Sequence, residues 1–129
     1  MNKLSIASLL VAAMSFAAVS SASAASPTKT GTTSKGATLT DAKGMSLYTF
    51  DKDSGGKSAC NGPCATNWPA LKAEASEQAS GDYTIITRDD GAKQWAYKGK
   101  PLYTFAKDQK TGDTTGDGFL NGAWHLAQP

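Results

Sequence analysis

The sequence has few of the side chains on which most enzyme mechanisms depend. Among its 129 residues there is one histidine, His125, and there are two cysteines, Cys60 and Cys64. A hydrolase needs a nucleophile, a base and an orienting group in register. The chain contains no Gly-x-Ser-x-Gly string, which would mark a serine nucleophile. We therefore predict that the protein is not an enzyme.

Clustered positive charge and long apolar runs are also missing beyond the N-terminal region. Lys and Arg total 13 against 11 Asp and Glu, and the basic residues form no stripe. A nucleic-acid surface needs cations that follow the phosphates, so nucleic acid is not an expected partner. No segment after residue 24 approaches the roughly 20 apolar residues of a membrane-spanning helix. We expect no membrane span.

The first 24 residues have the composition of a secretory signal peptide. Lys3 precedes an apolar run over residues 9–19, and an Ala-Ser-Ala sequence ends at residue 24. Cleavage there predicts a periplasmic or secreted protein, and no cysteine stands at the cleavage site to carry a lipid anchor. Residues 25–36 are mostly Ser, Thr, Gly, Pro and Lys, a composition that predicts a flexible leader.

The rest of the chain is an internal duplication. The string Gly-Met-Ser-Leu-Tyr-Thr-Phe-Asp-Lys-Asp at residues 44–53 returns as Gly-Lys-Pro-Leu-Tyr-Thr-Phe-Ala-Lys-Asp at residues 99–108. Extended downstream with one inserted residue, the same register sets Trp68 opposite Trp124. A unit of about 45 residues rarely buries enough apolar surface to fold alone. We predict a single domain over residues 37–129, in which repeat one (37–71) and repeat two (82–129) share a core and a polar connector (72–81) joins them.

The local patterns favour a sheet. Period-two alternation around Asp and Gly turns predicts a hairpin over residues 37–50, and further strands at 83–88, 94–97, 102–105 and 123–127. The second repeat thus has one more strand than the first. Pro63 suits the first position of a helix that Pro69 would end. The sequence predicts a mainly β domain of six to eight short antiparallel strands, with one short helix after the Cys-x-x-x-Cys element.

Two copies of a Tyr-x-Phe-x-x-Asp motif flank the Cys-x-x-x-Cys element. The motif residues are Tyr48, Phe50, Asp53, Tyr103, Phe105 and Asp108, and the element leads into Trp68-Pro69. From about residue 36 to the end, this combination resembles the bacterial secreted-repeat family, lipoproteins with a Tyr-x-(Phe/Trp/Tyr)-x-x-Asp motif and no settled activity. The resemblance implies a small exported domain of the bacterial envelope, although this chain lacks the anchoring cysteine of the lipoproteins.

Two interpretations of Cys60 and Cys64 stay open. In an exported protein a local disulfide is the simpler one, and its short loop limits the stabilisation to about 1 to 2 kcal/mol. Alternatively, two thiolates near a helix start would bind Cu(I), with Met45 or His125 as auxiliary ligands. The same two thiols would also suit a redox-active pair.

The motif aromatics stand two residues apart in each copy, so that both rings of a copy face the same side of a strand. We expect these rings to pack in the core. The alternative is an exposed aromatic platform for a flat ligand, joined by Trp95 and Tyr97. Asp53 and Asp108 follow the motif strands, and we expect them to accept hydrogen bonds from loop amides.

Two aspartate-rich loops resemble calcium-binding loops in part. Asp51 and Asp53 stand in one loop, and Asp113 and Asp117 stand in the other. Neither loop supplies the closing bidentate Glu of an EF-hand, so we expect solvated turns, with a weak calcium site as the alternative. His125 alternates with apolar neighbours on both sides, which predicts a position on the protein surface.

These observations favour a non-enzymatic binding or structural module of the bacterial envelope or the medium, whose partner and oligomeric state the sequence does not identify. We expect no cofactor in that function. The alternative function is a periplasmic copper-handling or thiol-redox protein that uses Cys60 and Cys64.

Overall fold

The computed structural model describes residues 27–129, so the predicted signal peptide lies outside the described residues. The described chain forms seven strands, all paired antiparallel, and two short helices. The strands are β1 (Lys29–Thr33), β2 (Gly36–Thr40), β3 (Tyr48–Phe50), β4 (Tyr83–Thr87), β5 (Lys93–Tyr97), β6 (Lys100–Pro101) and β7 (Trp124–Leu126). The helices are α1 (Pro63–Asn67) and α2 (Phe119–Gly122). The prediction of a mainly β fold is confirmed.

Strand β1 corrects the predicted flexible leader. It pairs with β2 from Lys29 opposite Thr40 to Thr33 opposite Gly36. The β-branched threonines of this segment favour an extended backbone, and Gly36 adopts a φ of 103°, which a residue with a Cβ rarely takes. The β1–β2 hairpin occupies the place in repeat one that the β4–β5 hairpin occupies in repeat two. Each repeat therefore begins with a hairpin.

The two repeats exchange strands. Strand β3 of repeat one pairs with β7 of repeat two, with Phe50 opposite Trp124. In the reciprocal exchange, the backbone N–H groups of residues 104 and 106 donate to the carbonyls of residues 69 and 67. Between these two contacts, Tyr48 and Tyr103 each donate a backbone N–H to the carbonyl of the other, at 2.7 and 3.0 Å. An approximate twofold axis therefore passes between the two tyrosines.

The exchange also changes two predicted elements. The predicted hairpin over residues 37–50 is present only next to its turn, because β7 and Tyr103 occupy the two edges of β3. A bridge between Thr40 and Ser46 joins the two arms there, together with hydrogen bonds from the Asp41 N–H to the Met45 carbonyl and from the Leu47 N–H to the Leu39 carbonyl. At the predicted strand 102–105 the structure has only isolated bridges at Tyr103, and the regular strand β6 ends just before it, at Pro101.

Both repeats contribute to one aromatic core. The buried members of this cluster are Tyr48, Phe50, Cys60, Trp68, Tyr103, Phe105, Trp124 and Leu126. A second cluster, built around Leu39, Leu47, Trp95 and Leu102, also draws on both repeats. Aromatic side chains bury the largest apolar areas of any residue type. A repeat taken alone would expose half of each cluster to water, and for this reason the two repeats form a common core.

Helix α1 begins at Pro63 as predicted, because proline fits the first helical position, where its missing N–H costs nothing. The helix ends at Asn67, just before Trp68 and Pro69. The short helix α2 has no counterpart among the predicted elements. Leu120 and Asn121 inside it adopt left-handed φ angles of 56° and 57°. Because α2 is only four residues long and is not a regular helix, it has no helical pattern in the sequence.

Candidate functional site

The Tyr and Asp residues of the two motifs exchange hydrogen bonds across the twofold axis. The hydroxyl of Tyr48 in repeat one donates to Oδ2 of Asp108 in repeat two, at 2.6 Å. The hydroxyl of Tyr103 in repeat two donates to Oδ2 of Asp53 in repeat one, also at 2.6 Å. Each aspartate also accepts a loop amide, from Thr115 and Ala59 respectively. The Tyr-x-Phe-x-x-Asp motif is thus the joint between the repeats.

The Tyr103 side of this joint continues into a buried polar network. Arg88 is 6 % exposed and donates through Nη1 to Ser58 Oγ at 3.0 Å and to Gln94 Oε1 at 2.7 Å. The Ser58 Oγ lies 2.6 Å from the Tyr103 hydroxyl. Because Tyr103 has one proton and gives it to Asp53, the Ser58 hydroxyl is the donor in this contact. A directed chain of hydrogen bonds therefore runs from Arg88 through Ser58 and Tyr103 to Asp53.

Burial shifts the acidity of these groups. It raises the pKa of Tyr48 and of Tyr103 well above the ordinary range of a phenol, and the carboxylate that accepts each hydroxyl raises it further. Burial also raises the pKa of Asp53. The Ala59 N–H, the Tyr103 hydroxyl and the Arg88 charge oppose this rise without cancelling it. Both tyrosines are neutral hydrogen-bond donors at ordinary pH.

Cys60 and Cys64 form a disulfide just before helix α1, with Cα atoms 5.2 Å apart. Cys60 is fully buried in the aromatic core, and its carbonyl accepts a hydrogen bond of 2.5 Å from Nη2 of Arg88. The repeat offset places Gly116 and Leu120 at the equivalent positions of repeat two. Repeat two therefore closes the same loop without a bridge.

The four residues of the predicted copper site occupy separate places. The two cysteine sulfurs are bonded to each other and are not thiolates. Met45 stands in the turn before β3, where its carbonyl accepts the Asp41 N–H, and His125 lies on β7 beside Asp51. Among residues 27–129, no three His, Cys, Asp or Glu side chains are grouped as metal ligands. Copper binding stays a prediction for the reduced protein.

The aspartates of the two predicted calcium loops each have a different partner. Asp51 pairs with His125, and Asp53 accepts from Tyr103 and Ala59. Asp113 accepts the N–H groups of Gln109 and Lys110, and the first of these contacts is the main cause that lowers its pKa. Burial opposes the lowered pKa of Asp117, but the Lys35 ammonium and the Leu126 N–H outweigh it. Asp113 thus accepts from its own loop, whereas Asp51, Asp53 and Asp117 each accept from a residue in another part of the chain.

A groove of about 380 Å³ lies on the outer face of the β3–β7 pair, beside the turn between β5 and β6. We call it the basic groove, and its polar side chains are Thr49, Asp51, Lys98, Lys100, His125 and Gln128. His125 is 48 % exposed, and its Nε2 lies 2.8 Å from Oδ2 of Asp51. Within the described chain, neither Lys98 nor Lys100 has a carboxylate within 4.0 Å.

The backbone at the rim of this groove is strained. Lys98 adopts a φ of 51°, which costs free energy in a residue with a long side chain. Glycine or asparagine would be the usual choice at that position of the turn. The Lys98 ammonium lies 5.2 Å from the centre of the Tyr97 ring. The turn thus holds a cation where the backbone alone would favour another residue.

Comparison with known proteins follows the repeat boundaries. The family model of a secreted repeat of unknown function matches residues 29–72 and again residues 84–128. The chain belongs to this family. Its members are described as secreted, and none of the helices within residues 27–129 has the length and hydropathy needed to cross a bilayer. No curated protein and no solved structure shows a significant match to this secreted-repeat chain.

The first match to the secreted-repeat family starts at residue 29, where β1 also starts. The sequence contained a signal for this strand, because repeat two has a strand at residues 83–87 and the repeat offset carries it back to about residue 28. Sequence reasoning also missed Arg88, Lys98 and Lys100. Arg88 is the only arginine in the chain, and that rarity was the available signal. Lys98 and Lys100 had no comparable signal in the sequence.

Proposed function

We propose that the protein is a non-enzymatic binding module of the bacterial envelope or the extracellular space, and that the basic groove binds acidic groups of an envelope polymer. The observation that carries this proposal is the pair of ammonium groups at the groove rim, Lys98 and Lys100, which no carboxylate of the described chain neutralises. An anionic ligand supplies the missing charge.

Comparison of the two repeats distinguishes residue positions that folding requires from positions that it does not. The motif positions of the core are the same in both copies, as Tyr48 and Tyr103 or Phe50 and Phe105 show. Three polar groove positions differ: Asp51, Lys100 and His125 correspond to Ala106, Met45 and Pro69. Since the equivalent face folds with those apolar residues, folding alone does not demand the polar set. A ligand that contacts only one of the two faces accounts for the difference.

His125 and Asp51 give the groove a second polar anchor. The Asp51 carboxylate accepts from His125 Nε2 and orients the ring, which leaves the other ring nitrogen for a ligand. Thr49 lies opposite His125 in the β3–β7 pair and adds a hydroxyl to the floor. A sugar polymer with carboxylate or phosphate groups matches this combination of cations and neutral hydrogen-bonding groups.

The test measures binding of the mature protein to two defined polymers, alginate for carboxylates and poly(glycerol phosphate) for phosphates, by calorimetric titration. In the Lys98→Gln/Lys100→Gln variant we expect affinity for the preferred polymer to fall about tenfold, since two lost contacts of about 0.7 kcal/mol each amount to that factor.

The control variant is Lys43→Gln/Lys107→Gln, which removes the same charge. Lys43 is exposed and is the repeat counterpart of Lys98, and Lys107 is exposed on the other repeat. This variant should retain the affinity of the wild type within about twofold. If both variants lost affinity equally, the net charge of the protein would account for the binding, and the groove would be refuted as the site. If the wild-type protein bound neither polymer, the groove would also be refuted as the site.

A further inference from the structure

The aromatic core contains four rings stacked face to face in one column. The order is Phe50, Trp124, Trp68 and Phe105. Successive ring centres are 4.2, 3.7 and 4.0 Å apart, and the two indole planes at the centre are tilted by only 2°. Aromatic pairs in proteins more often take offset or edge-to-face arrangements. The two indole faces therefore lie in direct, nearly parallel contact.

A tyrosine touches each indole of this column from the side. The Tyr103 ring lies edge-on to Trp124 with centres 5.1 Å apart, and the Tyr48 ring lies edge-on to Trp68 at 5.3 Å. Each of these tyrosines is the one whose hydroxyl donates to a carboxylate of the opposite repeat. Both halves of the core thus contain the same unit, an indole against a phenol that is hydrogen-bonded to a base.

Removal of one electron from such a unit has a definite outcome. An oxidised indole becomes stable when its N–H proton leaves, but Trp124 Nε1 is the one buried side-chain polar atom of the described residues that has no hydrogen-bond partner. The Tyr103 proton, in contrast, has an acceptor 2.6 Å away. An electron therefore passes from Tyr103 to the oxidised indole while the phenolic proton passes to Asp53. The products are a neutral indole, a neutral phenoxyl radical and a protonated carboxyl group.

We propose that this core is a sink for one-electron oxidising equivalents: a radical oxidant at the protein surface takes an electron from the tryptophan pair, and Tyr48 or Tyr103 then replaces that electron. The oxidant gains one electron and the tyrosine loses one electron and one proton, so that charge and atoms balance. The inference does not depend on ligand binding in the basic groove.

Neighbouring groups hold both phenol oxygens in place through the reaction. The Tyr103 oxygen accepts from Ser58, which Arg88 in turn holds, and the Tyr48 oxygen accepts from the Gly116 N–H at 3.2 Å. These donors remain hydrogen-bonded to the phenoxyl radical after the proton has left. Because the bonds exist before oxidation, little rearrangement is needed.

The test is pulse radiolysis of the mature protein with azide radical, a one-electron oxidant of indoles. We expect the absorption of the tryptophan radical to decay as the absorption of the tyrosine radical rises, at a rate independent of protein concentration. In Tyr48→Phe/Tyr103→Phe this unimolecular phase should lose most of its amplitude. The control Tyr83→Phe/Tyr97→Phe should retain it, because these tyrosines belong to the other cluster, around Trp95.

Equal amplitudes in the two double variants would overturn the proposal, as would a phase whose rate scales with protein concentration. A second measurement covers the case in which Tyr48→Phe/Tyr103→Phe fails to fold. In the wild-type protein the transfer should be slower in D₂O than in H₂O, because the proton moves together with the electron. An unchanged rate in D₂O would also overturn the proposal.

Discussion

Replacement of a motif phenylalanine by alanine tests the shared core most directly. Phe105 is 4 % exposed and stacks on Trp68 at 4.0 Å, and Phe50 is 8 % exposed and stacks on Trp124 at 4.2 Å. Each ring caps one end of the aromatic column, so its removal leaves a cavity against an indole face. Phe→Ala changes in a packed core cost about 3 to 5 kcal/mol. A domain of this size has only about 5 to 15 kcal/mol of stability in total.

The assay is reversible thermal or urea denaturation of the mature protein, followed by circular dichroism. A loss of 3 kcal/mol or more predicts a fall in melting temperature of roughly 12 °C or more for a domain of this size. Because the twofold axis makes Phe50 and Phe105 equivalent, we expect the two variants to be destabilised to a similar extent.

Phe119→Ala is the matched control. Phe119 also contacts Trp68 and Phe105, with ring centres 5.9 and 5.4 Å apart, but it is 43 % exposed. With about half of the ring buried, its removal should cost about 1 kcal/mol. If Phe50→Ala or Phe105→Ala melts no lower than Phe119→Ala, the aromatic column is not a main source of stability. The inference that the two repeats depend on a shared core would then be wrong.

Two further predictions concern the disulfide and alkaline pH. The Cys60→Ser/Cys64→Ser variant should fold with a loss of about 2 kcal/mol at most, because the bridge closes a loop of only about five residues and repeat two folds without one; complete unfolding in a denaturation experiment would contradict this. Burial raises the pKa of Tyr48 and of Tyr103 above 10.0, so both remain protonated in the folded state while the unfolded chain ionises. Stability should therefore be constant up to about pH 10 and fall above it, and urea titrations at pH 9 to 11 should show a smaller fall in Tyr48→Phe/Tyr103→Phe.

The sequence predicted the fold class because the repeated Leu-Tyr-Thr-Phe strings are strand-like and stand at nearly equal spacing from Trp68 and Trp124. It did not predict the pairing of β3 with β7. A hairpin is the most local pairing, and local pairing is what period-two alternation implies. The choice of β7 as the partner of β3 depends on contacts about 75 residues apart along the chain, and no local pattern encodes them.

The candidate site was less accessible to sequence reasoning. The motif rings were expected to pack in the core and the motif aspartates to accept from loop amides, but no partner was predicted for the tyrosine hydroxyls. The observed partners lie in the opposite repeat, since the strand exchange carries each phenol across the axis. Lys98 and Lys100 look like ordinary turn lysines in the sequence. Only the folded chain places them at the rim of a groove beside His125.

The exchange of β3 and β7 has a consequence for how such a chain assembles. A single repeat presents one unpaired strand and half of an aromatic column, and the surface that completes it is a second repeat related by a twofold rotation. This is the geometry of an isologous homodimer. The predicted connector over residues 72–81 links the two repeats covalently, so that an effective concentration fixed by linker length replaces the concentration dependence of a bimolecular association. If the chain is cut within residues 72–81, we expect the two repeats to associate noncovalently in solution.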